Sequence, residues 1–106
     1  MKVQLIKNVS KGTWSILSRK VPDREIKERI EKREFSALGL CQGDLADMLV
    51  ASDLAEKSSA VCVSEIHGTC PQHIVCIGIF GETSAVENAV RELISVEAEK
   101  KGGRRI

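Results

Sequence analysis

The chain has 106 residues, with 16 basic and 15 acidic side chains for a net charge of +1, 42% hydrophobic residues and only 3% aromatic ones. That length suits one domain with a core of Val, Ile, Leu and Ala. Near-neutral charge argues against a general polyanion binder, and no stretch approaches the roughly 20 apolar residues of a membrane span.

In chain order, "VQLIKNV" (3–9) reads as a short strand. "TWSILSRKV" (13–21) reads as a second strand, with Trp14 at its start as a packing residue. "PDREIKERIEKR" (22–33) reads as a helix opened by Pro22 in its first turn. Its only apolar residues are Ile26 and Ile30, so a surface position with a modest core contribution is expected. "FSALGLC" (35–41) is an apolar run bounded by Gln-Gly-Asp, expected as a buried strand. "DLADMLVASDLAEKSS" (44–59) reads as a helix with Asp44 as N-cap and Asp47 at the positive end of its dipole. Leu45, Met48, Leu49, Ser52 and Ala55 form one stripe, and Ala46, Val50 and Leu54 a second. Coverage on more than one side is therefore expected.

"AVCVSEIH" (60–67) and "HIVCIGIF" (73–80) are β-branched runs around Gly-Thr-Cys-Pro-Gln, a hairpin with a loop longer than a two-residue turn. "TSAVENAVRELISVEAEKK" (83–101) reads as the last helix, with Ser84 and Glu87 as a capping box and Val86, Ala89, Val90 and Leu93 as its apolar stripe. Glu87–Arg91 and Glu97–Lys101 are spaced for ion pairs. Residues 35–100 thus spell β-α-β-β-α, a thin sheet that needs another strand from the N-terminal third. The best candidate is 13–21. The chain divides into an N-terminal segment 1–34, a core 35–100 and a basic tail 101–106, all one domain. The tail is expected to be solvated, with no nucleic-acid role, since no aromatic stacking platform accompanies it.

The N-terminus lacks the apolar h-region of a signal peptide, so a cytoplasmic protein is expected, with thiols reduced. The four cysteines, Cys41, Cys62, Cys70 and Cys76, then read as free thiols or metal ligands. None are in Cys-x-x-Cys spacing. Cys41, Cys62 and Cys76 fall in strands and read as small buried hydrophobes. Cys70 stands at the hairpin tip. From the residues alone it is an exposed loop thiol or a metal ligand. No nucleophile–base pair, metalloprotease motif or Walker loop is present, which argues against an enzyme.

The stretches "SALGLCQGDLADMLVASDLAEKSSAVCVSEIHG" and "HIVCIGIFGETSAVENAVRELI" resemble the bacterial microcompartment shell domain over roughly residues 35–95. The matching features are Leu38–Leu40, the Ala-rich helix, the loop 68–72, and Gly81 with Ala85, Val86, Ala89 and Val90. The usual member ends with a further strand, which this sequence lacks, and an N-terminal segment stands in its stead. That order resembles the circularly permuted shell proteins. The resemblance implies a ferredoxin-like α/β (α+β) sheet of about four strands with helices packed on it. It also implies that 13–21 replaces the missing strand and that 3–9 joins a small β-barrel around a pore.

The loop Gly68, Thr69, Cys70, Pro71, Gln72 is similar to that of the iron–sulfur-binding shell proteins of glycyl-radical-enzyme microcompartments. It implies a homo-hexamer tiled with other shell proteins in a cytoplasmic microcompartment shell. At its pore, Cys70 of several subunits would share an iron–sulfur cluster, of the 4Fe–4S type. Such a cluster would serve electron transfer across the shell or cluster delivery. An encapsulated glycyl-radical enzyme or a redox protein would be the partner. His67 and His73 flank the loop as possible outer-sphere groups. Two other functions fit the residues: a metal-free βαββα regulatory module binding a small molecule, and a small soluble redox carrier.

Overall fold

The computed structural model describes residues 1–68 and 74–101, with side chains through residue 99. Four strands and four helices follow one another as β1 (Lys2–Ile6), α1 (Lys11–Ser18), α2 (Arg24–Glu31), β2 (Ala37–Gly43), α3 (Leu45–Ser58), β3 (Cys62–Ile66), β4 (Val75–Gly81) and α4 (Thr83–Lys101). The strands form one antiparallel sheet in the order β1-β2-β4-β3. The β3–β4 hairpin is placed as expected, and α3 crosses over β4 to carry the chain from β2 to β3.

The added strand is β1, from 3–9, and not 13–21. Val3 pairs with Cys41 and Leu5 with Gly39, so this segment extends the sheet alongside β2 and is not set apart in a barrel. Residues 11–18 are helical instead. Ser10 caps α1 by accepting from Thr13 N–H at 3.2 Å, and Trp14 and Leu17 share one face at the three-residue interval of a helix, with Val21 buried just beyond its end. Asp23, rather than Pro22, opens α2 by accepting from Ile26 N–H at 3.0 Å. Ile26 and Ile30 of α2 are both buried.

Strand alternation sends two sets of side chains to opposite faces. Ala37, Cys41, Ile77 and Ile79 face α3 and α4 and meet Met48, Ala51, Val86, Ala89 and Leu93. Leu38 and Phe80 face α1 and α2 and meet Leu17, Ile26, Ile30, Phe35 and Trp14. The helices therefore cover both faces. Gly39 permits close approach on the first face, because a Cβ there would stand 3.0 Å from Val90 Cγ2. Gly78 does so on the second, where a Cβ would stand 2.8 Å from the Phe80 ring.

Several local expectations are corrected. In α4, Ser84 does not serve as the N-cap: Val86 N–H bonds to the Glu82 carbonyl at 3.0 Å, and Thr83 N–H is satisfied by Ser36 Oγ at 3.0 Å. Glu87 pairs with Lys7 Nζ at 2.9 Å, with Arg91 a weaker influence on its carboxylate. Glu97 meets the Met1 amino group at 3.0 Å, while the Lys101 side chain of the expected Glu97 pair lies outside the described residues. On α3 only the stripe of Met48, Ala51 and Ala55 is buried within the chain. Leu45, Leu49 and Val50 are 59%, 63% and 48% exposed.

Candidate functional site

The hairpin mouth is built by the last pair of the β3–β4 ladder, Ile66 with Cys76. Gln42 pairs with Cys76 from the other side, so three strands brace the base of the loop. Beyond the ladder, His67 N–H donates to the Lys20 carbonyl at 2.7 Å. That bond ties the hairpin to the α1–α2 connection and fixes where the chain leaves the sheet. His67 Nε2 lies 3.4 Å from Glu65 Oε1. A shallow cavity of about 110 Å³ opens here, lined by Glu65, His67, Gly68, Ile74 and Cys76 among others. His67, Gly68 and Ile74 are exposed at its rim.

Of the residues singled out in the sequence, His67 and Gly68 stand just past the end of β3 at this mouth. Thr69, Cys70, Pro71, Gln72 and His73 lie outside the described residues. The other three cysteines are held apart by the sheet. Cys41 is fully buried beneath α3 and α4, as expected. Burial pushes its thiol pKa up to about 11, with a smaller push from Cys76. At neutral pH it is a protonated thiol, a poor metal ligand, because ligation needs the thiolate. Cys62 starts β3 opposite Phe80, on the other face. It stands four residues from the mouth, about 13 Å along the strand. Cys76 is half-buried beside the mouth. Among the described residues, no three His, Cys, Asp or Glu side chains come together as a metal cage.

Cys62 departs from simple core packing. Arg29 of α2 directs its Nη1 to Cys62 Sγ at 3.0 Å, donates through Nε to Glu34 at 2.8 Å, and places its guanidinium 4.6 Å from the Phe35 ring centre. The Glu34 contact, more than Cys62, raises the Arg29 pKa further. This bridge joins α2 to the edge strand β3. Arg29 and Cys62 are 33 residues apart, and no local pattern announces their meeting.

The chain is a mixed α/β module whose four-stranded antiparallel sheet carries helices on both faces and ends in an exposed hairpin mouth. No protein-family model matches the chain, and no curated protein does. Solved structures do. The ligand-free GrpU microcompartment shell protein from Pectobacterium wasabiae is 35% identical, with a TM-score of 0.67, over 87% of this chain and 98% of that one. The ligand-free GrpU microcompartment shell protein from Clostridiales bacterium 1_7_47FAA is 32% identical, with a TM-score of 0.66, over 94% of this chain and 95% of that one. The trimeric bacterial microcompartment shell protein PduB shares the fold at 20% identity and a TM-score of 0.52, over 95% of this chain and 42% of that one. The chain belongs to the bacterial microcompartment shell proteins. It is a structural shell protein and not an enzyme. No helix among the described residues is long and apolar enough to cross a membrane.

Proposed function

We propose that this protein is a circularly permuted shell tile that forms a cyclic homo-hexamer in a cytoplasmic bacterial microcompartment. In this reading the loop Gly68–Gln72 of each copy faces the sixfold axis, and Cys70 thiolates from several copies hold one iron–sulfur cluster of the 4Fe–4S type. The permuted order rests on β1, which brings an N-terminal strand to the edge of the sheet beside β2.

The observation that carries the reading is that Cys41, Cys62 and Cys76 do not converge: Cys41 and Cys76 stand near each other but on opposite faces of the sheet, and Cys62 lies at the far end of β3. A cluster is usually held by four thiolates, and these three do not converge on one. A rotation axis supplies the missing ligands, because each copy presents the same thiol to the same point. Gly68 admits close backbone approach, and Pro71 biases the residue before it to an extended conformation. Exposed Leu45, Leu49 and Val50 on α3 give neighbouring subunits an apolar surface to cover. His67, anchored through its backbone to Lys20, stands where it can tune such a site, with His73 on the other side of the loop. Other shell proteins would be its lateral partners, and a glycyl-radical enzyme or a redox protein its interior one. The cluster would then serve electron transfer across the shell or delivery of iron–sulfur units.

The test is native mass spectrometry on anaerobically purified protein, paired with Cys70→Ser. The expected result is a six-chain mass carrying one cluster, with Cys70→Ser retaining the hexamer and losing all iron. Cys41→Ser, Cys62→Ser and Cys76→Ser should each keep the cluster. A dimer, or a hexamer with one cluster per chain, would overturn the shared-axis site.

A further inference from the structure

We propose that the cleft between α1 and the α2–β2 turn is a second binding site, for a small anion that carries a flat aromatic or heteroaromatic ring: a carboxylate or phosphate joined to that ring directly or through a sugar. The starting point is Arg33. Its φ of 59° is the one positive value at a non-glycine among the described residues. It ends α2 in a Schellman geometry, with Glu34 N–H bonded to the Arg29 carbonyl and Arg33 N–H to the Ile30 carbonyl, both at 3.0 Å. Glycine is the usual residue at this position because only it takes the left-handed conformation without steric cost. An arginine there carries a backbone cost, and what it adds in return is a side chain.

That side chain lines two adjoining cavities, of about 250 and 300 Å³, which also share Lys11 and Trp14. Glu31 borders the first. The second is lined by no carboxylate: its charged groups are Lys11 and Arg33, with Asn8 and Ser36 as neutral polar neighbours. Among the described residues, neither Lys11 nor Arg33 has an acidic partner within ion-pair distance. Two cations thus border the second cavity, and among the described residues no carboxylate lines it; Glu31 lines only the adjoining one.

The wall of that concavity is aromatic. Trp14 is half-buried, stacked on Phe80 with ring centres 6.2 Å apart and inclined to Phe35 at 6.5 Å. Those contacts hold the indole still, so its accessible part is a preorganised platform for a flat ring. A guanidinium adds a planar fork suited to carboxylate or phosphate, and a lysine adds a point charge. The larger volume sits at the lower end of small-molecule pockets, which selects a small aromatic anion over a bulky cofactor.

Trp14 is the only tryptophan in the chain, which also lacks tyrosine, so intrinsic fluorescence reports on this cleft directly. The experiment titrates the full-length protein with adenosine 5′-monophosphate and, separately, with benzoate. Adenosine and inorganic phosphate are the half-ligand controls. The expected result is a saturable emission change with at least one of the two anions, and binding of adenosine or phosphate alone at least about tenfold weaker. Saturation by the nucleotide alone identifies a phosphate-bearing heteroaromatic ligand; saturation by benzoate alone identifies an aromatic acid. Arg33→Gly should weaken binding about tenfold, with the thermal midpoint unchanged or raised because glycine relaxes the backbone. Lys11→Gln should weaken it similarly. No saturable change with either anion, equal affinity for adenosine and its monophosphate, or wild-type affinity in Arg33→Gly would overturn the proposal.

Discussion

Beneath α3 and α4, the sheet is packed by small and β-branched residues on two long helices: Ala51, Ala55, Val86, Ala89 and Val90 close over Ala37, Cys41, Ile77 and Ile79. On the opposite face two helices of only eight residues each lie over Leu38 and Phe80. There the core is an aromatic triad, Trp14, Phe35 and Phe80, with ring centres 5.4–6.5 Å apart. Arg29 braces it from outside. The first face gains its stability from regular, repeated contacts along helices of 14 and 19 residues. The second depends on a few large side chains gathered from distant parts of the chain. Short helices are marginal on their own, so α1 and α2 hold their shape through that cluster.

The sharpest way to break this contrast is to remove the aromatic centre. Phe80→Ala should cost about 3–5 kcal/mol, measured by denaturant unfolding, and should release α1 and α2 while α3 and α4 stay protected in hydrogen exchange. A uniform loss of protection across both faces would show that the two cores are one cooperative unit.

Overpacking tests the same contrast more gently. Gly78→Ala would place a methyl 2.8 Å from the fully buried Phe80 ring and 2.9 Å from Ile66 Cδ1, at a cost of about 1–3 kcal/mol. Gly39→Ala meets Val90 at 3.0 Å and Ile79 at 3.3 Å on the other face. A comparable cost is expected there, because β-branched side chains on a helix have one favoured rotamer and cannot swing aside. Unfolding midpoints of the two variants measure which face yields.

The smallest effect is a pH dependence. Burial raises the Cys41 pKa to about 11 in the folded chain, above its value when unfolded, so the fold favours the neutral thiol. The associated stability is fully present below the unfolded-state pKa and is lost as pH rises toward about 11. Cys41→Ala should flatten that part of the stability–pH curve while lowering the plateau. An unchanged alkaline slope in the variant would remove Cys41 as its source.

The strands and helices read within residues 35–100 hold because their signals are local. Asp44 accepts from Asp47 N–H at 2.9 Å as an N-cap should, Val86, Ala89, Val90 and Leu93 line the buried side of α4, and the hairpin strands pair across their loop. The N-terminal third misleads because its signals are weak and mixed. Residues 13–21 carry Thr, Trp, Ile and Val, all at home in strands, and the helix they enter, Lys11–Ser18, is only about two turns long. At the hairpin, composition and loop length marked Gly68 and His67 as standing at an exposed tip. The backbone bond from His67 to Lys20 that orients it is a long-range contact.

By itself, the sequence determined the elements whose period and caps lie within one window of chain: the hairpin, α3, α4, and the absence of a cysteine pattern able to build a cage locally. Only tertiary structure decided which N-terminal segment became the fourth strand, where Glu87 and Glu97 found their partners, and that Arg29, Cys62 and Phe35 would meet. Those outcomes turn on side chains far apart in sequence, whose pairing energies exist only once the sheet has brought them together.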